Sequence, residues 1–186
     1  FKNLENYKKM KFFLRDVQKS SEMNEIIKNH KIDSIFHAAA YKHVPLLQKE
    51  ENFLMALKNN FFATFDLCEV AHNNNVSSFT LISSDKAVNP TNIMGASKRL
   101  SELSLQAFQI KYKNNTCFSM VRFGNVLNSS GSVVPLFWKQ IQDGGPVTVT
   151  HKDINRFFMT IEEAASLVIK SNSIAQGGEV FLLDMG

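Results

Sequence analysis

The chain has no apolar run approaching the roughly 18 residues that span a membrane, only two cysteines in 186 residues, and no G-x-G-x-x-G loop. Each absence closes off a class of protein. Cys68 and Cys117 stand far apart, with no C-x-x-C and no clustered histidines, so neither a disulfide framework nor a metal site is expected; both read as core thiols of a reducing compartment. Internal repeats, low-complexity tracts and obvious linkers are also missing. Twenty-one Lys and Arg against 17 Asp and Glu give a formal charge of +4 and a pI near 9.0. The lysines are scattered rather than striped along one face, which argues against a nucleic-acid partner. The sequence has neither a signal peptide nor an initiating Met and begins at Phe1 in mid-phrase, as a piece of a longer protein would.

What is present is an ordinary globular composition, 44% hydrophobic and 20% charged, with a length that suits one domain and a sizeable core. Strands are expected at Lys11–Leu14, Ile32–Phe36, Phe79–Ser83, Thr116–Arg122, Val147–Thr150 and Glu179–Leu183. Between them, a helix with a serine cap at Ser20 or Ser21 runs to about His30. A long one runs from about Glu50 to Asn74, with apolar residues at Phe53, Leu54, Leu57, Phe61, Phe65 and Cys68. Others cover Gly95 to Lys113, Ser132 to Asp143 and Ile161 to Ser173. Strands alternating with helices of ten or more residues imply parallel βαβ units.

Two stretches concentrate chemistry at strand ends, where open α/β sheets bind ligands. One is His37-Ala38-Ala39-Ala40, whose small side chains let a flat ligand approach the backbone. The other is Ser83-Ser84-Asp85-Lys86 with Met94-Gly95-Ala96-Ser97-Lys98. There a hydroxyl, a carboxylate and two ammonium groups converge. The second stretch has the Tyr-x-x-x-Lys spacing of short-chain dehydrogenases, four residues on one helix face, but Met94 stands where the tyrosine would. A thioether cannot take a proton, so either the site binds without turnover, or a substrate proton leaves through Ser84, Asp85 or a water.

Five blocks together resemble the CapD-like polysaccharide-biosynthesis proteins, extended short-chain dehydrogenases that act as UDP-N-acetylglucosamine 4,6-dehydratases. They are His37 to Leu46, Ser83 to Asn92, Met94 to Arg99, Arg122 to Val126 and Arg156 to Thr160. The resemblance implies a partial Rossmann-like, doubly wound parallel sheet of the α/β class, lacking the first glycine-rich βα unit and the C-terminal end. Residues 1–122 would be the dinucleotide-binding part, with the catalytic stretch at 83–98, and 123–186 a small substrate-binding region packed on it. The same resemblance implies NAD or NADP as cofactor, a UDP-sugar substrate and a homo-oligomer. It also implies a cytoplasmic domain without membrane contact of its own, in a protein whose Met-bearing branch carries membrane helices upstream.

In that family hydride leaves sugar C4, water is lost across C5 and C6, and the hydride returns to C6. By the resemblance Asp85 is the acid at the C6 hydroxyl and Lys86 the base at C5, Ser84 bonds the 4-hydroxyl, and Lys98 bonds the nicotinamide ribose. Such roles invert the resting charges, so burial is expected to raise the Asp85 pKa and lower that of Lys86. Met94 marks the branch that retains configuration at C5. Asp16 matches an acidic residue that bonds adenine, His37 to Ala40 line the dinucleotide, and Asn60, with Ala63 and Thr64, resembles an Asn-x-x-Gly-Thr segment. Asn125 and Arg156 are candidates for the diphosphate. Ser130, in the run Ser129 to Val133, opens a helix suited to the nucleotide; Asn128 stands where relatives have Gly. Lys42 and His43 face the sugar region by position. The alternatives are a UDP-sugar 4-epimerase or a 5-inverting dehydratase, and a non-catalytic nucleotide-sugar or dinucleotide-binding domain.

Overall fold

A computed structural model describes residues 7–112, 115–127, 129, 132–149 and 151–185. Among them are six strands: β1 (Ser34–His37), β2 (Ser78–Ile82), β3 (Cys117–Arg122), β4 (Asn125–Val126), β5 (Phe158–Met159) and β6 (Val180–Leu182). A wholly parallel sheet has the order β1-β2-β3-β6, and β4 pairs with β5 in a separate parallel ladder. The central residues of β2 and β3 are buried because both faces of these strands are covered, and their two faces differ in character. Phe79 and Leu81, with Phe118 and Met120, point to one face. Thr80 and Ser119 point to the other, where Thr80 donates to Asn172 at 2.9 Å.

The helices are α1 (Ser20–His30), α2 (Val44–Leu47), α3 (Glu50–Ala56), α4 (Ala63–Asn73), α5 (Ile93–Lys111), α6 (Val133–Gln142) and α7 (Ile161–Ile174). Helices α1, α4 and α5 build the main core through Ile27, Leu67, Cys68, Ala71, Leu105 and Phe108, while α7, carrying Asn172, packs on the opposite face. Each large side chain buried there contributes about 1.5–3 kcal/mol. The strand ends that carry the candidate site are thereby held rigidly.

Several expectations are corrected. Lys11–Leu14 is extended chain rather than a strand, and Leu14 is 95% exposed; a strand exists through ladder bonds, and the described sheet does not include this segment. Helix α1 starts as expected, but neither serine caps it. Lys19 is the capping residue without a side-chain bond, and Glu22 pairs with Arg15 and Lys19 at 3.3 and 3.2 Å. Val147–Val149 form no strand, because the Gln140 side chain takes the Thr148 backbone N–H and donates to its hydroxyl. Thr150, like Lys113, lies outside the described residues. The β4–β5 ladder and the capping box at Thr160 and Glu163 were not expected from the sequence.

The long helix is interrupted. A π-helical turn, Leu57–Phe62, joins α3 to α4, and its wider coil resets which residues face inward. Phe53, Leu54 and Phe65 therefore stand exposed, and the buried face is made of Ala56, Ala63, Leu67, Cys68 and Ala71. Cys68 is fully buried and Cys117 half-buried, and both are free thiols.

Candidate functional site

Two clefts open at the carboxyl ends of the strands. The first, about 970 Å³, is bounded by the segment from Leu14 to Glu25 and by Ala39, Ala40, Tyr41 and Asn59. Asp16 sits in its wall, its carboxylate accepting the Gln18 N–H at 3.0 Å. Ala38 and Ala39 are exposed, so bare backbone borders the opening. The Tyr41 N–H and C=O that end this loop are both bonded by the Asn60 side chain, at 2.7 and 3.0 Å, and the Asn60 amide also donates to Ser97 of α5. Asn60 is thus buried with its amide occupied by the protein. It borders the cofactor stretch through Tyr41 rather than facing the cleft itself.

The π-helical turn leaves the Asn60 carbonyl outside the usual helix ladder, and two hydroxyls, of Thr64 and Ser101, donate to it at 2.7 Å. Thr64 has one proton and gives it to Asn60. His37 Nε2, 2.9 Å from the Thr64 hydroxyl, must therefore be the donor in that pair. Burial, with the nearby Lys98 adding to it, lowers the His37 pKa to about 4, so the ring is neutral at pH 7.

Helix α5 starts at an Asn92 cap. Met94 is buried with Leu47, Ala56, Val44 and Ile93, so its thioether fills a small apolar core. Gly95 lies against the Lys86 carbonyl so closely that any Cβ would overlap it. One turn on, Lys98 donates from Nζ to the Ile82 carbonyl at 2.8 Å. Burial brings its pKa down to about 8, against an opposing effect from Glu102. Lys98 is buried, lines neither cleft, and makes this one hydrogen bond from its Nζ among the described residues.

Beyond β2 the chain bends through a 3₁₀ turn, Asp85–Ala87, that Ser84 caps by accepting the Lys86 N–H. Asp85 accepts from the Ser84 hydroxyl at 2.8 Å and from Lys86 Nζ at 2.9 Å. The expected rise in the Asp85 pKa is reversed. Burial pushes it up, but hydrogen bonds from Lys86 and Ser84 outweigh that and hold it below the usual carboxylate range. Those bonds and the neighbouring charge act against a burial that is only partial, the Asp85 side chain being 55% exposed.

The second cleft, about 510 Å³, brings Asp85 and Lys86 together with Arg122, Asn125 and Arg156. Asn125 donates to the Phe157 carbonyl at 3.2 Å, tying β4 to the segment that carries the exposed Arg156. Lys42 and His43 are exposed on the way into α2 and line neither cleft. Ser130 and Asn128 lie outside the described residues; Ser129 and Ser132 lead into α6. No cluster of three or more metal-ligating side chains occurs among the described residues.

Sequence reasoning missed a group under the site. Glu102 is wholly buried and receives Ser83, Arg122 and Arg99. Its sequence signal was available: it lies one turn after Lys98, so both occupy one face of α5. The Gly95 constraint had no such signal.

Comparison with known proteins places this geometry. Over 173 residues, 93% of this chain and 28% of the relative, the sequence is 50% identical to the capsular polysaccharide biosynthesis protein CapD of Staphylococcus aureus. It is 34% identical to a UDP-glucose 4-epimerase of Rickettsia canadensis over 94% of this chain and 50% of that protein. The chain therefore spans half or less of those relatives. Among solved structures, Pen from Bacillus thuringiensis superposes with a TM-score of 0.89 at 36% identity, covering 97% of this chain and 56% of Pen. DesIV, a dTDP-glucose 4,6-dehydratase from Streptomyces venezuelae solved with NAD bound, shares the fold with a TM-score of 0.86 at 18% identity, over 96% of this chain and 59% of DesIV. A family model described as polysaccharide biosynthesis protein matches residues 1–186, and the chain belongs to that family.

Proposed function

We propose that this chain carries the active site of a nucleotide-sugar 4,6-dehydratase, converting a UDP-N-acetylhexosamine to its 4-keto-6-deoxy product. The observation that carries the reading is the Asp85–Lys86 ion pair at the mouth of the second cleft, with Lys98 buried behind it against the end of β2. Residues 1–122 hold the dinucleotide and 123–186 the sugar nucleotide in this reading.

The first cleft suits a nicotinamide dinucleotide. Ala38 to Ala40 leave backbone accessible and Asp16 offers a carboxylate to an adenine amino group, while Lys98, at the end of β2 and outside the lining of that cleft, would bond the ribose hydroxyls. A dinucleotide held by these residues would supply the hydride acceptor for sugar C4 and the hydride donor for C6. The chain's own residues handle the protons. Lys86 removes the C5 proton, made acidic by the ketone at C4, Asp85 protonates the departing C6 hydroxyl, and Lys86 returns the proton to the same face of C5 as C6 gains its hydride. Resting charges are opposite, yet the required state differs from the resting ion pair only by one proton, moved from the Lys86 ammonium to the Asp85 carboxylate. At ordinary pKa values that move costs about 9 kcal/mol, and exclusion of water by a bound sugar lowers the cost by penalising both charges. Ser84, already bonded to Asp85, gives the 4-hydroxyl proton a way out that Met94 cannot offer. Arg156 and Asn125 hold the diphosphate.

The test is incubation of the full-length protein with UDP-N-acetylglucosamine. A 4-keto-6-deoxy sugar with C5 configuration kept is the expected product. Conversion to the C4 epimer alone would favour the second reading, a UDP-sugar 4-epimerase, which the likeness to the rickettsial enzyme supports. Apolar side chains exposed on α3, α4 and α5, Phe53, Phe65 and Leu103 among them, support a homo-oligomer.

A further inference from the structure

The Glu102 carboxylate has been given no part in holding dinucleotide or sugar. Its side chain is shut off from solvent, yet four donors reach it. Ser83 Oγ at 2.6 Å and Arg122 Nε at 2.7 Å bond Oε1; Arg122 Nη2 and Arg99 Nη1, the latter at 3.0 Å, bond Oε2. Burying a carboxylate costs several kcal/mol, and an apolar residue often fills such a place equally well. Packing alone does not explain a charge here.

The donors share a location. Ser83 directly precedes the Ser84-Asp85-Lys86 triplet. Arg122 directly precedes Phe123, whose carbonyl accepts the Asp85 N–H at 3.2 Å. Lys98 lies one turn back on α5 and bonds Ile82, the residue before Ser83. Glu102 thus sits under the carboxyl ends of β2 and β3, which stay paired through the Ser83 and Asp85 N–H groups, and behind the second cleft, which Arg122 lines.

We propose that Glu102 is a positioning residue: its carboxylate fixes the paired carboxyl ends of β2 and β3 against α5, and is the counter-charge one turn from Lys98. The inference rests on the reading of Lys98 as a dinucleotide ligand. The charge acting on Lys98 is that of Glu102; His37, itself affected by Lys98, is neutral over the range tested. Of the other elements packed on α5, the 3₁₀ turn carries the Asp85–Lys86 ion pair, β3 carries Arg122, already bound to Glu102, the π-helical turn carries Lys58, α3 carries Glu50 and Glu51, and α4 carries Asp66, Glu69 and His72. Removal of Glu102 leaves burial unopposed, and Lys98 loses its proton at lower pH.

The experiment is titration of the full-length protein with NAD⁺ and NADP⁺ between about pH 6 and 9.5, read as affinity. Wild-type affinity falls as pH rises through about 8. Glu102→Gln moves that fall about one pH unit lower, so binding weakens about fivefold at pH 8, approaches tenfold above about pH 9 and changes little at pH 6. Glu102→Asp, which keeps the charge with a shorter reach, leaves the fall in place while kcat drops, as does Ser83→Ala. A uniform loss at every pH in Glu102→Gln, a fall moved by Glu102→Asp, or a wild-type affinity flat across the range would each overturn the proposal. Should Glu102→Gln not fold, the aspartate and alanine variants decide it alone. Failure to form a 4-keto-6-deoxy sugar defeats the dehydratase reading and leaves this titration readable.

Discussion

Beneath the candidate site the polar side chains are bonded to one another: His37 to Thr64, Asn60 to Tyr41 and Ser97, Glu102 to Ser83 and Arg122. Around its mouth the groups are exposed or bonded only to near neighbours, as Asp85 and Lys86 are to each other, while Arg156 lies open. The floor is set before any ligand arrives, and the rim completes itself on one. Floor residues should therefore govern stability and charge state, and rim residues turnover.

The sharpest division comes from Lys86→Ala. Loss of a positioned base should reduce kcat by about 10²–10⁴-fold, while unfolding stability changes by less than about 1 kcal/mol, because the pair is exposed; steady-state kinetics beside urea unfolding measures both. A comparable loss of stability would erase the distinction between rim and floor. Next is Gly95→Ala, which forces α5 and the Lys86 carbonyl apart. Misplacement of about 1 Å can cost 10²-fold in rate, so kcat should fall with Tm, joining the two regions at one position.

His37 tests the floor by pH. Its pKa is lowered from 6.5 to about 4 in the fold, so between these values the unfolded chain binds more protons than the folded one. The stabilisation is complete above pH 6.5, drains away as pH falls to about 4, and amounts to about 3 kcal/mol. His37→Gln, which can still donate to Thr64, should flatten that part of the stability curve in urea melts at pH 7 and pH 4.5; an unchanged slope would show the ring is not held neutral. Arg156→Lys keeps the charge but loses the paired donors, and should raise KM for the UDP-sugar about tenfold with kcat nearly intact. The smallest effect is expected from Thr160→Ala. Loss of the capping bond on α7, remote from both regions, should cost about 1 kcal/mol without altering KM.

The sequence showed the parallel α/β pattern and both strand-end blocks, because apolar runs and adjacent catalytic residue types are local signals. Asp85 and Lys86 do meet at the cleft, and Lys98 does reach the end of β2. The inward face of the long helix was illegible, since one π-helical turn between Leu57 and Phe62 shifts the helical phase without marking the composition. The direction of the Asp85 pKa shift was also illegible: adjacency to Lys86 was visible, but the hydrogen bonds from Ser84 and Lys86 that decide it depend on the fold. Glu102 escaped notice because Ser83 and Arg122 reach it across 19 and 20 positions.

The hydrogen bonds running from His37 through Thr64 to Asn60 have a direction. His37 gives, Thr64 receives and gives, and the Asn60 carbonyl only receives. A backbone carbonyl has no proton to hand onward and none of its own to exchange, so the row is a cul-de-sac: it can fix a ring but cannot conduct. A proton released by the sugar has no exit through the floor along this row, which leaves the traffic to the open side, where Ser84 and Asp85 stand next to water.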